Sequence, residues 1–292
     1  MVNQTRGEKF FDICNYIFLI LLMVVMLYPF WYILMGSFSD AVQAEQGGFF
    51  LVPAGFSLEA YQAVFNNSAL FSGFKTTLIT VIVGVAIGVF FSAGMAYALS
   101  KQKLRGQLLL SFFVLFTMLF NGGMVPTYLL VKNLNLLDTY WALILPNAIG
   151  AWNIFVMLGF FRGIPNELEE SAKVDGANDL SVFFRIVLPI SKPVLVTIGL
   201  FTAVMYWDDF FSTILYITDK SKWQLQTVLN DIITNTADVM AKQGVSVSYE
   251  PNISTFTVQM ASIIVVTIPI LLVYPFVQKH FVKGVMIGSV KG

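Results

Sequence analysis

The sequence predicts an all-α integral membrane protein with six spanning helices, on three observations. Charged residues make up 12% of the 292 and hydrophobic residues 57%, whereas a soluble domain carries about 25% charged residues. Six separate stretches are long and apolar enough to cross a bilayer, which takes about 20 helical residues. No stretch alternates apolar and polar residues as barrel strands must. Because lipid offers backbone groups no partners, the spans are helical.

The first span, about 13–35, follows Arg6 and Lys9. It is longer than the core of a signal peptide, and Tyr28, Pro29, Phe30 and Trp31 occupy its end where a small-residue cleavage site would stand, so it reads as retained. The others are about 71–99, 107–131, 139–161, 193–216 and 257–281. In the fifth, Ser191 can cap the helix and Pro193 suits its first turn. The whole chain, 1–292, reads as a single transmembrane domain. Of the 17 Lys and Arg residues, twelve fall on the side of both termini and of the 162–192 loop. Loop 36–70 has none. Basic residues favour the cytoplasmic side, so both termini face the cytoplasm and loops 36–70 and 217–256 face outward. In the latter, Trp223, Leu225, Val228, Leu229, Ile232 and Ile233 recur near helical spacing and predict a short amphipathic helix, either a solvated surface element or a contact for an extracellular partner.

The formal net charge is zero, so there is no bulk attraction to nucleic acid. A lone cysteine, Cys14, excludes an intrachain disulfide, and a lone histidine, His280, lacks the companions a zinc site needs.

Within this apolar chain the 162–192 loop is a charged island, with Glu167, Glu169, Glu170, Lys173, Asp175, Asp179 and Arg185. Each such charge would cost about 2.5–3.5 kcal/mol at the bilayer centre, so the segment stays outside. Asn166, with Glu169 three residues on, resembles a capping box. Gly176 suits the left-handed position that closes a helix near Asp175, and Asn178 or Asp179 can cap a second helix that Pro189 stops. The small Ala172 and Gly176 permit close approach of a partner surface. The same pattern also suits an amphipathic element at the headgroups.

Glu170-Ser171-Ala172, then Asp175-Gly176-Ala177, then Ile186-Val187-Leu188-Pro189 resembles the EAA loop of ABC importer permeases, with Ser171 in place of the first alanine. The likeness extends to Phe281-Val282-Lys283-Gly284 and Val290-Lys291-Gly292, and is strongest to the second permease of carbohydrate importers for complex oligosaccharides, which Asn121-Gly122-Gly123-Met124-Val125-Pro126 also resembles. The resemblance implies a type I importer fold and a coupling helix between spans four and five, with Glu170, Ser171, Ala172, Asp175, Gly176, Ala177, Leu188 and Pro189 in contact with an ATPase. It implies a second permease in a heterodimer, two cytoplasmic ATPase subunits, an extracellular sugar-binding protein and an oligosaccharide substrate in the cell membrane. The chain has no phosphate-binding Gly-x-x-x-x-Gly-Lys-Ser/Thr loop. ATP and Mg are therefore expected on the ATPase, and no catalytic residue or cofactor in this chain.

Polar groups inside spans are the first candidates for a solute path. Tyr206, Trp207, Asp208 and Asp209 lie late in span five, Trp207 about 21 Å from Pro193 at 1.5 Å per residue. Asn121 in span three, with Asn147, Trp152 and Asn153 in span four, could complete a lining in which amides and carboxylates meet sugar hydroxyls and rings cover C–H faces. The same residues also suit interhelical hydrogen bonds and an aromatic belt. An ion-driven carrier would show repeated halves around a midplane ion site, which are not evident. An importer of a non-sugar solute is the other alternative.

Overall fold

A computed structural model describes residues 6–48, 50–101, 104–243 and 254–289. Lys103 and the closing Val290, Lys291 and Gly292 lie outside the described residues. Among the described residues the regular structure is helical, with one isolated antiparallel bridge between Ser39 and Phe56. The chain divides into two compact units, Met1–Ser68 with Asp231–Thr267, and Ala69–Asn230 with Ile268–Gly292.

Helix α1 (Arg6–Ser37) leads into the short α2 (Ala41–Glu45) and α3 (Glu59–Asn66), and then α4 (Ser68–Ser100). In the first unit, Phe50 packs on Tyr32 and Phe256, with ring centroids 5.1 and 6.1 Å apart. The Ser37 and Tyr61 hydroxyls share a hydrogen bond of 2.8 Å. Ser254 Oγ donates to Glu45 Oε1 at 2.8 Å.

The second unit holds the remaining helices. They are α5 (Gln107–Leu119), α6 (Met124–Asn133), α7 (Tyr140–Ile144), α8 (Ala151–Arg162), α9 (Asn166–Val174), α10 (Asp179–Val182), α11 (Leu188–Ile190), α12 (Lys192–Asp208) and α13 (Phe211–Tyr216). Helices α14 (Leu225–Gln243) and α15 (Thr255–Ser289) run from one unit into the other. One core joins Ala93, Ala96 and Tyr97 of α4 to Met157 and Phe161 of α8 and Ile198 of α12. Glycine is required where α4 passes its neighbours. A Cβ on Gly84 would enter the Tyr206 ring, and one on Gly88 would strike the Ala148 carbonyl.

Three helical segments are long and apolar enough to cross a membrane alone, namely Gly7–Ser37, Ser68–Ser100 and Thr255–Val273. The other three predicted spans are not single helices. Gln107–Leu119 and Met124–Asn133 bend by 111° and Tyr140–Asn147 and Ala151–Arg162 by 51°, while Asp179–Ile190, which precedes the predicted fifth span, meets Lys192–Asp208 at 80°. The chemistry of each break is local. Gly123 takes φ +90° and Asn121 Oδ1 accepts from its N–H at 2.9 Å. Pro146 and Gly150 interrupt the second pair. The predicted fifth span, 193–216, ends as a helix at Asp208, because Asp209 takes an extended backbone, φ −74° and ψ 112°, and its Oδ1 accepts from the Ser212 N–H of the next helix at 3.0 Å.

Candidate functional site

The charged loop is built from its own ends. Pro165, extended at φ −58° and ψ 132°, stands at the capping position of α9 and supplies no side-chain cap. Asn166 is therefore the first helical residue, and the predicted Asn166–Glu169 box does not form. Glu169 instead reaches the Lys101 ammonium at the end of α4, a full charge in place of a backbone N–H. Lys101 also lies 4.0 Å over the Tyr97 ring. At the other end Gly176 takes φ +88°, Ala177 N donates to Ala172 O at 2.9 Å, and Gly176 N donates to Lys173 O at 3.0 Å. These are the paired bonds of a Schellman closure. Asn178 then caps α10, its Oδ1 accepting from Ser181 N at 2.8 Å.

Pro189 does not stop this second helix. A π-turn over Phe183–Val187 adds a residue to the winding, with Leu188 N donating to Phe183 O. The wider turn relieves the clash that a proline ring makes with the carbonyl four residues back. The helix ends at Ser191, which is buried and takes the capping position of α12 without a side-chain bond.

Lys173 and Asp179 pair at 2.7 Å across the turn. Their hydrogen bond holds the Lys173 ammonium above its ordinary pKa and the Asp179 carboxyl below its own. Glu170, Ser171, Asp175 and Gly176 are exposed, as are Val174 at 88% and the Leu180 side chain. Ala172 and Ala177 are half-buried against the core of α4 and α8, where their small size seats the loop on its own bundle. Leu188 packs against the same core, and Pro189 is exposed.

The span residues do not form one cluster. Tyr206 is fully buried and its hydroxyl donates to Ile144 O at 2.7 Å, while Trp207 is buried with its ring edge-on to Phe74. Both are turned into the packing and away from any open path, because the face of α12 that carries them meets α4. Asp208 is exposed and Asp209 is partly buried. Asn153 Nδ2 donates to Thr202 Oγ1 at 3.4 Å, and Trp152 stands edge-on to Phe201 at 5.6 Å. Asn121 and Asn147 are exposed at the breaks. Among the described residues, no group of three or more His, Cys, Asp and Glu could hold a metal.

One organising residue escaped the sequence reading. Gln224 is fully buried, and its Nε2 donates to Thr80 Oγ1 at 3.1 Å and to Tyr206 O at 3.2 Å. Its Oε1 accepts from Thr213 Oγ1 at 2.8 Å. Next to it, Leu225 N donates to Thr77 Oγ1 at 2.8 Å. One amide thus fastens the start of α14 to α4, α12 and α13. The available signal was Gly84-x-x-x-Gly88 with Thr77 and Thr80 upstream, a small and polar stripe of the kind that brings spans together.

Known proteins are similar to this chain. The family described as binding-protein-dependent transport system inner membrane component matches residues 84–287. Protein LplC of Bacillus subtilis is 46% identical over 297 residues, covering 100% of this chain and 98% of LplC. The polygalacturonan/rhamnogalacturonan transport system permease protein YtcP of the same organism is 45% identical over 285 residues, covering 98% and 99%. A chain in the crystal structure of a bacterial ABC transporter involved in the import of the acidic polysaccharide alginate superposes with a TM-score of 0.87 at 32% identity, covering 96% of this chain and 100% of that one. With most of its length matched, and two relatives near half identical end to end, the chain belongs to the family of binding-protein-dependent transport system inner membrane components.

Proposed function

We propose that this chain is one permease of an ATP-driven importer of uronate-containing oligosaccharides. A second permease pairs with it, and two cytoplasmic ATPases dock on the two permeases. A binding protein delivers sugar from outside. All six predicted spans cross, the two pairs broken near 120–123 and 148–150 each counting as one and the fifth running from Lys192 past the break after Asp208, with both termini and loop 162–192 in the cytoplasm.

The observation that carries the reading is the exposed surface of α9 and its glycine turn, which offers Glu170 and Asp175 beside the bare Val174 side chain. The other face of the same loop is fixed to the spans by Lys101–Glu169 and by Ala172 and Ala177. A lever needs such an arrangement, free on one side and attached on the other. ATP can shift the transporter only by binding one of its states better than the other, so the closure it drives must reach the spans through a firm joint. The test is Glu170→Lys. The variant should reach the membrane and keep its fold, yet lose ATP-driven uptake and co-purification with the ATPase. Normal uptake would end the docking model.

The substrate class rests on the relatives, since polygalacturonan and alginate are both polymers of uronic acid. In this chain Asp208 is an exposed carboxyl group at the end of α12. Vesicles carrying the whole transporter should accumulate labelled trigalacturonate over a neutral oligosaccharide of equal length, and the opposite preference would reject a uronate substrate.

A further inference from the structure

The segment between α2 and α3 is an unusual connection for the end of a spanning helix. From Gln46 to Leu58 it contains no charged residue. Its backbone is well satisfied inward. Asp40 N donates to Ala54 O at 2.9 Å and Gly55 O at 2.8 Å, Ala54 N donates to Ser39 Oγ at 3.0 Å, and Ser57 N donates to Phe38 O at 2.9 Å. Phe50 is buried among the Tyr32 and Phe256 rings. With the backbone fixed in this way, the turn presents Leu51, Val52 and Phe56 outward, 64%, 71% and 72% exposed.

Backbone groups turned onto their own protein, with apolar side chains directed away, suit a segment at the lipid boundary, where unbonded polar groups are costly. The depth of the turn is fixed by one bond. Trp31 Nε1, near the Ser37 end of α1, donates to Leu51 O at 3.0 Å. Tryptophan settles at the membrane–water interface, its ring among acyl chains and its N–H toward polar groups. Here the N–H is committed to the turn, so Leu51 shares the tryptophan's depth. The exposed side chains also continue the apolar surface of α1, where Leu27 and Phe30 are exposed.

We infer that the 51–56 turn is an interfacial foot, with Leu51, Val52 and Phe56 embedded at the headgroup–acyl boundary beside α1. The partner is the lipid surface itself. The inference requires only that α1 spans the bilayer and is independent of how transport is driven.

The test uses the whole transporter in phosphatidylcholine–phosphatidylglycerol vesicles. Cys14 is replaced by serine, and an environment-sensitive fluorophore is attached at Val52→Cys. The foot predicts blue-shifted emission, loss of fluorescence with lipids that carry a nitroxide high on the acyl chain, and no loss with aqueous iodide. Phe56→Cys reads the same turn from a second position. Water-like emission with iodide quenching would overturn the inference. So would shielding from both quenchers, which would assign the turn to a permease partner, or shielding that develops only when binding protein is added, which would make it a docking surface for that protein.

Discussion

Glu169 and Glu170 are neighbours in sequence but point about 100° apart on α9, and opposite roles follow. Glu169 anchors the loop to its own spans, whereas Glu170 faces outward. The Lys101–Glu169 pair is three-quarters buried or more on both sides, with 25% and 20% of the side chains exposed. An exposed pair contributes about 0–1 kcal/mol, and Lys101 over the Tyr97 ring adds about 0.5–1 kcal/mol. Together they favour the seated loop by about 0.5–2 kcal/mol. Glu169→Lys replaces attraction with repulsion in a partly dry site, which raises the cost to about 2–3 kcal/mol, or about 30- to 150-fold in the ratio of seated to unseated loop. Amide exchange over 166–174 should quicken accordingly, and uptake should fall. Reversal of the pair, Lys101→Glu with Glu169→Lys, should restore most of both. It should restore nothing to Glu170→Lys, whose amide exchange should remain slow throughout. Unchanged exchange in Glu169→Lys, or a reversed pair no better than the single variant, would refute the division of roles.

Three further outcomes are expected. Gln224→Met keeps the volume but deprives Thr213 of its acceptor and Tyr206 O of a donor. It should cost about 1–3 kcal/mol and lower the melting temperature of the purified protein by several degrees, and an unchanged melting temperature would show the hub to be incidental. The π-turn borders an apolar groove of about 430 Å³ lined by Phe183, Leu188 and residues of α4 and α12, and a shift of the turn during uptake would use that space. A disulfide between Phe90→Cys and Phe184→Cys, whose rings lie 6.4 Å apart, should therefore stop ATP-driven uptake until reduced, and full uptake in the oxidised protein would show that the turn stays still. The Lys173–Asp179 pair should be insensitive to pH across the physiological range. The raised Lys173 contributes below its unfolded pKa of about 10.4 and loses this as pH rises through the folded value, while the lowered Asp179 contributes above about 3.9 and loses this as pH falls through its own. Both side chains are about half exposed or more, so Asp179→Asn should cost under about 0.5 kcal/mol, and a steep change in loop stability between pH 5 and 9 would require another group.

What the sequence made legible follows from which forces are local. Hydropathy marked Gly7–Ser37, Ser68–Ser100 and Thr255–Val273, each a single long apolar helix, because apolar length is set by composition alone. The glycine at 176 and the cap at Asn178 were legible because each bonds within three residues of itself. The Asn166 cap was misread because a residue 68 positions away competes for Glu169. Gln224 was missed for the same reason, its partner Thr80 standing 144 residues distant. Pro189 was read as a helix terminator because the π-turn that admits it depends on packing by Val182, Phe183 and Val187, all buried in the core.

The bends explain more about a solute path than the straight helices do. Each break in a spanning helix frees N–H and C=O groups that lipid cannot satisfy, so irregular backbone at membrane depth must be buried in protein or line a wet cavity. The breaks at 120–123, 145–150 and 209–210 carry Asn121, Asn147 and, at their margins, Trp152 and Asp208. All four of these side chains are exposed in the single chain. The polar candidates chosen for sugar chemistry and the points where the helices fail are therefore nearly the same places. A hydrated path satisfies both demands, since the water and hydroxyls that serve the side chains also serve the freed backbone. Tyr206 and Trp207, in the last turn of α12, are buried against α4, so a path of this kind would take its lining from the exposed side chains at the breaks.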